Sequence, residues 1–116
     1  MDKIALHSRL IEGTETAYDT EHATVWPELI TAMHRAGIAD WTIWRNGRDL
    51  FHVVDCADFD AAVKQLATDP VDQRWQRHMA RFVEGFAENP DGAAGRGLRH
   101  VWTMSEQLAA ETDSAW

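Results

Sequence analysis

Asn46-Gly47 stands between two runs rich in aromatic and β-branched residues, Ile38 to Arg45 and Asp49 to Asp55. In that setting Asn-Gly dictates a tight antiparallel hairpin, because glycine reaches positive φ without steric cost. A hairpin fixes two neighbouring strands and the register between them, so the rest of the chain must pack against a sheet. The first run carries Trp41 and Trp44, which are three apart and point to opposite faces. One of them can enter a core or a ligand site while the other faces outward.

The flanking segments supply the rest of a sheet and its cover. Lys3 to Ile11 reads as a strand, broken by Gly13. From Thr14 to Arg35, Tyr18, His22, Val25, Trp26, Leu29, Ile30 and Met33 recur at helical spacing. Pro27 lacks an N–H and clashes with the preceding turn, so the segment either kinks or splits, with Pro27 opening a second helix. Gly37 ends it. Downstream, Asp58 is a good N-cap for a helix to Ala67, and Asp69-Pro70 restarts a helix expected to run from Val71 to Gly85. Residues Glu88 to Gly97 read as a loop, Leu98 to Glu106 as the last strand, and Gln107 to Trp116 as a tail.

The resulting order, β-α-β-β-α-β, is the α+β ferredoxin-like arrangement: a four-stranded antiparallel sheet with helices on one face. The expected organisation is one domain over residues 1–106 followed by a tail at 107–116. A sheet covered on one face leaves the other exposed. Apolar residues alternate onto that face, so a homodimer through the open sheet face is expected.

The formal net charge of −8, with no cluster of Lys and Arg, excludes nucleic acid and anionic membrane as natural partners. A neutral ligand such as a sugar is compatible with it. Cys56 is the single cysteine, so neither an intramolecular disulfide nor a CxxC metal or redox site can form. The start of the chain lacks the apolar stretch of a signal peptide and no run is long enough to span a membrane, which points to the cytoplasm. There are six Trp but only one Tyr. Flat amphipathic indoles suit both sugar faces and subunit interfaces.

Tyr18 and His22 are four apart on one helix face, and Trp26 follows one turn on. The histidine fits two roles: a boundary residue satisfied by hydrogen bonds, or an acid/base group at the mouth of a pocket. His52 and Asp55 fall on opposite faces of their strand, and the remaining histidines are scattered without metal-ligand spacing. No metal and no cofactor are expected, and no phosphate-binding loop is present.

At this point three segments resemble one family. Tyr18 to Leu29 contains Tyr, three residues, His, three residues, then Trp26-Pro27-Glu28-Leu29, and is similar to the signature helix of the L-rhamnose mutarotase family. Asp69 to Trp75, ending in Gln73-Arg74-Trp75, and Gly37 to Trp44 resemble two further segments of it. The resemblance runs from about residue 3 to residue 106. It implies a dimeric α/β barrel that interconverts the α and β anomers of a 6-deoxy sugar, L-rhamnose or L-fucose. By the same resemblance His22 is the acid/base residue with Tyr18 beside it, and Trp75 is the first of two tandem tryptophans that wall the sugar pocket. Trp41 stands where the family has a site tyrosine, and Gln76 replaces the second tryptophan. Together with Trp26, these are the expected substrate-binding residues. The departures at Trp41 and Gln76, and the polar first strand Leu6-His7-Ser8-Arg9-Leu10, fall where the sugar should sit. Other readings of such a chain are a non-catalytic sugar-binding homologue or a cofactor-free monooxygenase-like enzyme on the same barrel, because fold alone does not set chemistry.

Overall fold

The computed structural model describes residues 2–114, without the side chains of the last two. The elements are β1 (Asp2–Leu10), α1 (Glu15–Glu21), α2 (Pro27–Arg35), β2 (Ile38–Asn46), β3 (Asp49–Cys56), α3 (Phe59–Ala67), α4 (Pro70–Met79), β4 (Val83–Phe86), a short 3-10 turn at Ala93–Gly95, and α5 (Met104–Ser114). The four strands form one antiparallel sheet in the order β2-β3-β1-β4. This is the ferredoxin-like arrangement expected from the sequence.

Local signals act where they should. The hairpin pairs Asn46 with Asp49, so its two loop residues are Gly47 and Arg48. Gly47 takes φ +60° at the first loop position while Arg48 stays at negative φ, the type II′ pattern. Pro27 splits the long helical pattern: α1 stops at Glu21, and Pro27 is the first residue of α2. Gly37 takes φ +96° just past the end of α2. Asp58 caps α3 by accepting from the Ala61 N–H, and Asp69 caps α4 by accepting from the Val71 N–H.

The far edge of the sheet differs from expectation. The last strand is Val83–Phe86 rather than Leu98 to Glu106, and α4 ends at Met79 rather than running on to Gly85. Trp75, Met79, Phe82 and Val83 carry helical spacing, but the free edge of β1 competes for Val83 to Phe86. It wins through the pairs Ser8↔Phe86, Arg9↔Gly85 and Leu10↔Val83. Gly85, at φ +144°, has a conformation no helix accommodates. Ala87 and Leu98 extend the same edge by donating their N–H groups to His7 and Ala5 carbonyls, which leaves residues 99–103 without a ladder. Much of the expected tail is helical within α5, and residues 115–116 lie outside the described residues.

The helix-facing side of the sheet carries the core. Leu6 and Leu10 of β1 and Leu50, Val54 and Cys56 of β3 pack with Leu29, Phe59, Ala62, Leu66 and Met79 from the helices. Two polar side chains interrupt that apolar face, Ser8 at 2% exposure and His52 at 4%. On the opposite face Trp44 and Phe51 are cross-strand partners that remain 57% and 42% exposed, and His7 stacks on Phe51 with centroids 4.9 Å apart.

Candidate active site

Tyr18 and His22 emerge from the last turn of α1, where the i, i+4 spacing brings their rings into a stack with centroids 4.0 Å apart. His22 is half-buried at the helix C-cap and its Nδ1 lies 3.3 Å from the Tyr18 carbonyl oxygen. A carbonyl only accepts, so Nδ1 carries the proton and Nε2 keeps a lone pair. Burial holds His22 below the usual histidine range, against the opposing pull of the Tyr18 carbonyl and of Glu21 and Asp19. Burial likewise pushes the Tyr18 hydroxyl up to about 12, with Asp19 adding to it. Near neutral pH the site therefore pairs a neutral imidazole base with a phenol that keeps its proton.

A helix of seven residues needs external anchors, and the acidic side chains of α1 supply two of them. Arg45 of β2 donates to both carboxylate oxygens of Asp19, at 2.9 and 2.6 Å, and this holds the Asp19 carboxyl below its usual range. Glu21 accepts from His78 Nε2 at 2.7 Å, while Arg81 donates to His78 Nδ1 and fixes that tautomer. Sheet and α4 thus both position the turn that carries Tyr18 and His22.

The tryptophans divide between wall and support. Trp75 is buried and meets His22 edge-on at 5.3 Å, closing the wall beside the imidazole. Trp26 packs edge-on against Trp75 at 5.0 Å and near His78 at 5.6 Å. It stands behind the wall instead of lining the cavity. Gln76 is exposed at the cavity rim, with its amide 3.4 Å from Asp72. Trp41 faces inward from β2, as one of its two possible faces required, and meets Phe59 and His52.

The sheet floor holds a group that sequence reasoning missed. His52 Nε2 lies 2.8 Å from Ser8 Oγ, and the Trp41 indole N–H donates to His52 Nδ1 at 3.1 Å. Phe86 covers the same imidazole at 5.2 Å. Burial depresses His52 to about 4, with His22 and His7 contributing further. The signal was present in the alternation itself: Leu6-Ser8-Leu10 and Leu50-His52-Val54 each place one polar residue in an otherwise apolar, inward-facing row. Weighing His52 only against Asp55 on its own strand concealed a partner on β1.

Both groups line one cavity of about 1380 Å³ between the helix layer and the sheet, with Tyr18, His22 and Trp75 on one wall and Ser8, Trp41 and His52 on the floor. An aromatic wall beside a base and a proton-bearing phenol can bind a polyhydroxylated ring and move its protons. Among the described residues, no three His, Cys, Asp or Glu side chains converge to hold a metal ion, and no helix is long and apolar enough to cross a membrane.

Residues 3–104 match the protein family described as L-rhamnose mutarotase. The chain belongs to the L-rhamnose mutarotase family. A relative named L-rhamnose mutarotase from Rhizobium meliloti (strain 1021) is 35% identical over 91 residues, covering 77% of this chain and 86% of the relative. A relative named L-fucose mutarotase from Xanthomonas campestris pv. campestris is 32% identical over 94 residues, 78% of this chain and 75% of the relative. Among solved structures, an L-rhamnose mutarotase from Formosa agariphila aligns with a TM-score of 0.71 at 23% identity, over 90% of this chain and 99% of that one. Tetracenomycin F2 cyclase from Streptomyces glaucescens aligns with a TM-score of 0.57 at 15% identity, over 89% and 96% of the two chains. These two likenesses speak to the fold alone. Within the mutarotase family, then, this chain sets a stacked Tyr18–His22 pair above a polar sheet floor.

Proposed function

We propose that this protein is an aldose mutarotase that interconverts the α and β anomers of a 6-deoxyhexose, L-rhamnose or L-fucose. The observation that carries the reading is the Tyr18–His22 pair, one base and one proton-bearing phenol, on the aromatic wall of the cavity in a member of this family. His22 Nε2 takes the proton from the anomeric hydroxyl as the bond between the anomeric carbon and the ring oxygen breaks. The ring oxygen receives a proton from Tyr18 or from a water held beside it, giving the open-chain aldehyde. Rotation of the aldehyde about the C1–C2 bond and reclosure reverse both transfers on the other carbonyl face. Each positioned acid/base group contributes roughly 10²- to 10⁴-fold, so two side chains suffice for a reaction that already proceeds in water. Trp75 and Trp41 pack on the apolar face of the sugar, with Gln76 at the rim, and Trp26 holds Trp75 in place.

The working form in this reading is a homodimer joined through the open sheet face. Its support is the adjacent exposed pair Trp44 and Phe51, together with apolar side chains of the C-terminal arm, among them Val101 at 87% exposure and Trp102. The cavity also exceeds the roughly 300–1,000 Å³ of ordinary small-molecule sites, which leaves room for a second chain to narrow it. The reading places the enzyme in the cytoplasm, where the single thiol of Cys56 stays reduced.

The test is anomer exchange by saturation-difference proton NMR with L-rhamnose and L-fucose in parallel. Saturation transfer between anomeric protons at catalytic protein concentration supports the reaction and selects the sugar. Silence with both sugars overturns it.

A further inference from the structure

His52 is the one histidine buried in the sheet floor, and its two neighbours dictate its state. The Trp41 indole N–H can only donate, so His52 Nδ1, 3.1 Å away, must be the acceptor and carry no proton. A neutral imidazole then bears its hydrogen on Nε2, which must donate to Ser8 Oγ at 2.8 Å. The Ser8 oxygen is thereby committed as an acceptor, and its own hydrogen is left to donate elsewhere. Protonating His52 would set an Nδ1–H against the indole N–H, donor against donor. The burial of the site opposes that charge as well.

Ser8 and His52 both line the cavity that holds Tyr18 and His22. Two polar residues in a row of leucines and valines cost stability unless something uses them. Within the protein they satisfy each other and Trp41, but the chain of donors ends on an O–H with no acceptor among the described residues. We propose that Trp41, His52 and Ser8 form a hydrogen-bonded relay that presents the Ser8 hydroxyl as a donor to one ring-hydroxyl oxygen of the bound sugar, and so helps set which sugar is accepted. This rests on the mutarotase reading above. Trp41 and His52 are positioning residues; Ser8 makes the contact. A sugar that turns a hydroxyl toward the floor gains the bond, whereas one that turns a methyl or methylene there leaves the Ser8 hydrogen unpaired.

The relay is tested in two ways. Long-range proton–nitrogen correlation NMR of the wild-type protein should show His52 protonated at Nε2 and bare at Nδ1, unchanged as pH falls from about 8 to about 5.5. The opposite tautomer, or titration near the ordinary histidine value, overturns the relay whatever the sugar. In exchange assays with the preferred sugar, Ser8→Ala should lower kcat/KM about 10-fold, the worth of one neutral hydrogen bond. Circular dichroism establishes that the variant is folded. Analogues of that sugar lacking one ring hydroxyl provide a second arm that leaves the protein intact. One analogue should lose the same factor with wild-type protein and lose nothing further with Ser8→Ala. If wild-type exchange is robust but Ser8→Ala matches it on every analogue, the contact is overturned and the mutarotase reading stands. If wild-type protein exchanges no deoxyhexose, the mutarotase reading falls and the sugar contact falls with it.

Discussion

The imidazole of His22 stacks on the phenol of Tyr18 with the ring planes only 27° from parallel, while its Nδ1 faces the Tyr18 carbonyl. Helix geometry makes both contacts at once, and together they leave Nε2 as the reactive nitrogen. His22→Ala should therefore lower the exchange rate about 10²- to 10⁴-fold, measured by saturation-difference NMR. Tyr18→Phe keeps the stacked ring and removes only the hydroxyl, so a smaller loss there isolates the proton donor. Because burial lowers the His22 pKa, the base form persists below the ordinary histidine value. The acid limb of kcat/KM should then fall below about pH 6.5, and a limb above it would remove His22 as the base.

Tyr18 is the single tyrosine, so ultraviolet titration of tyrosinate reports on it alone. Its folded-state pKa is raised to about 12 from 10.0. The unfolded chain therefore loses this proton first, and stability present below pH 10 is lost as pH rises toward about 12. The native midpoint should lie well above the midpoint in denaturant. Coincident midpoints would mean that the hydroxyl is not buried.

His52 has the opposite dependence on pH. Its folded-state pKa is depressed from 6.5 to about 4, so the unfolded chain binds a proton first as pH falls. Stability should be full above pH 6.5 and decline toward about pH 4, by about 3 kcal/mol from this group if the shift is fully expressed. Urea melts across that window measure the slope. His52→Gln, which cannot titrate, should flatten it, and an unchanged slope would assign the effect to other groups.

Gln76 sits exposed at the cavity rim and makes only a long contact to Asp72. Gln76→Trp should change stability by less than about 0.5 kcal/mol, as surface substitutions do. Added ring surface beside Trp75 should lower KM for the sugar by roughly 2- to 10-fold, the scale of one favourable aromatic contact. Thermal melts and exchange kinetics read the two effects separately. A raised KM would mean that the rim position obstructs the sugar.

Sedimentation equilibrium should give twice the mass of one chain. Phe51→Asp with Trp44→Asp introduces two charges on the open sheet face and should shift the protein toward monomer, with the helical signal retained. A wild-type monomer, or a dimer indifferent to both substitutions, would place the interface elsewhere.

Much of the fold was legible because its signals are local. Gly47 turns the hairpin, Pro27 cannot continue a helix, and Asp58 and Asp69 satisfy helix N-termini within three residues of themselves. Tyr18 and His22 were readable as one face for the same reason. The edge of the sheet was not readable in this way. Val83 to Phe86 and Leu98 to Glu106 both carry apolar residues, and only pairing with β1 decides between them.

The sequence by itself therefore determined the hairpin, the broken first helix, the order of most elements and the Tyr18–His22 pair, since each depends on neighbours within one or two turns. Tertiary structure decided the fourth strand and the polar floor. Ser8 and His52 are 44 residues apart, and Trp41 and His52 are 11 apart, on three different strands. Cross-strand register alone brings them together, and hydrogen bonding between distant segments is what no local spacing can encode.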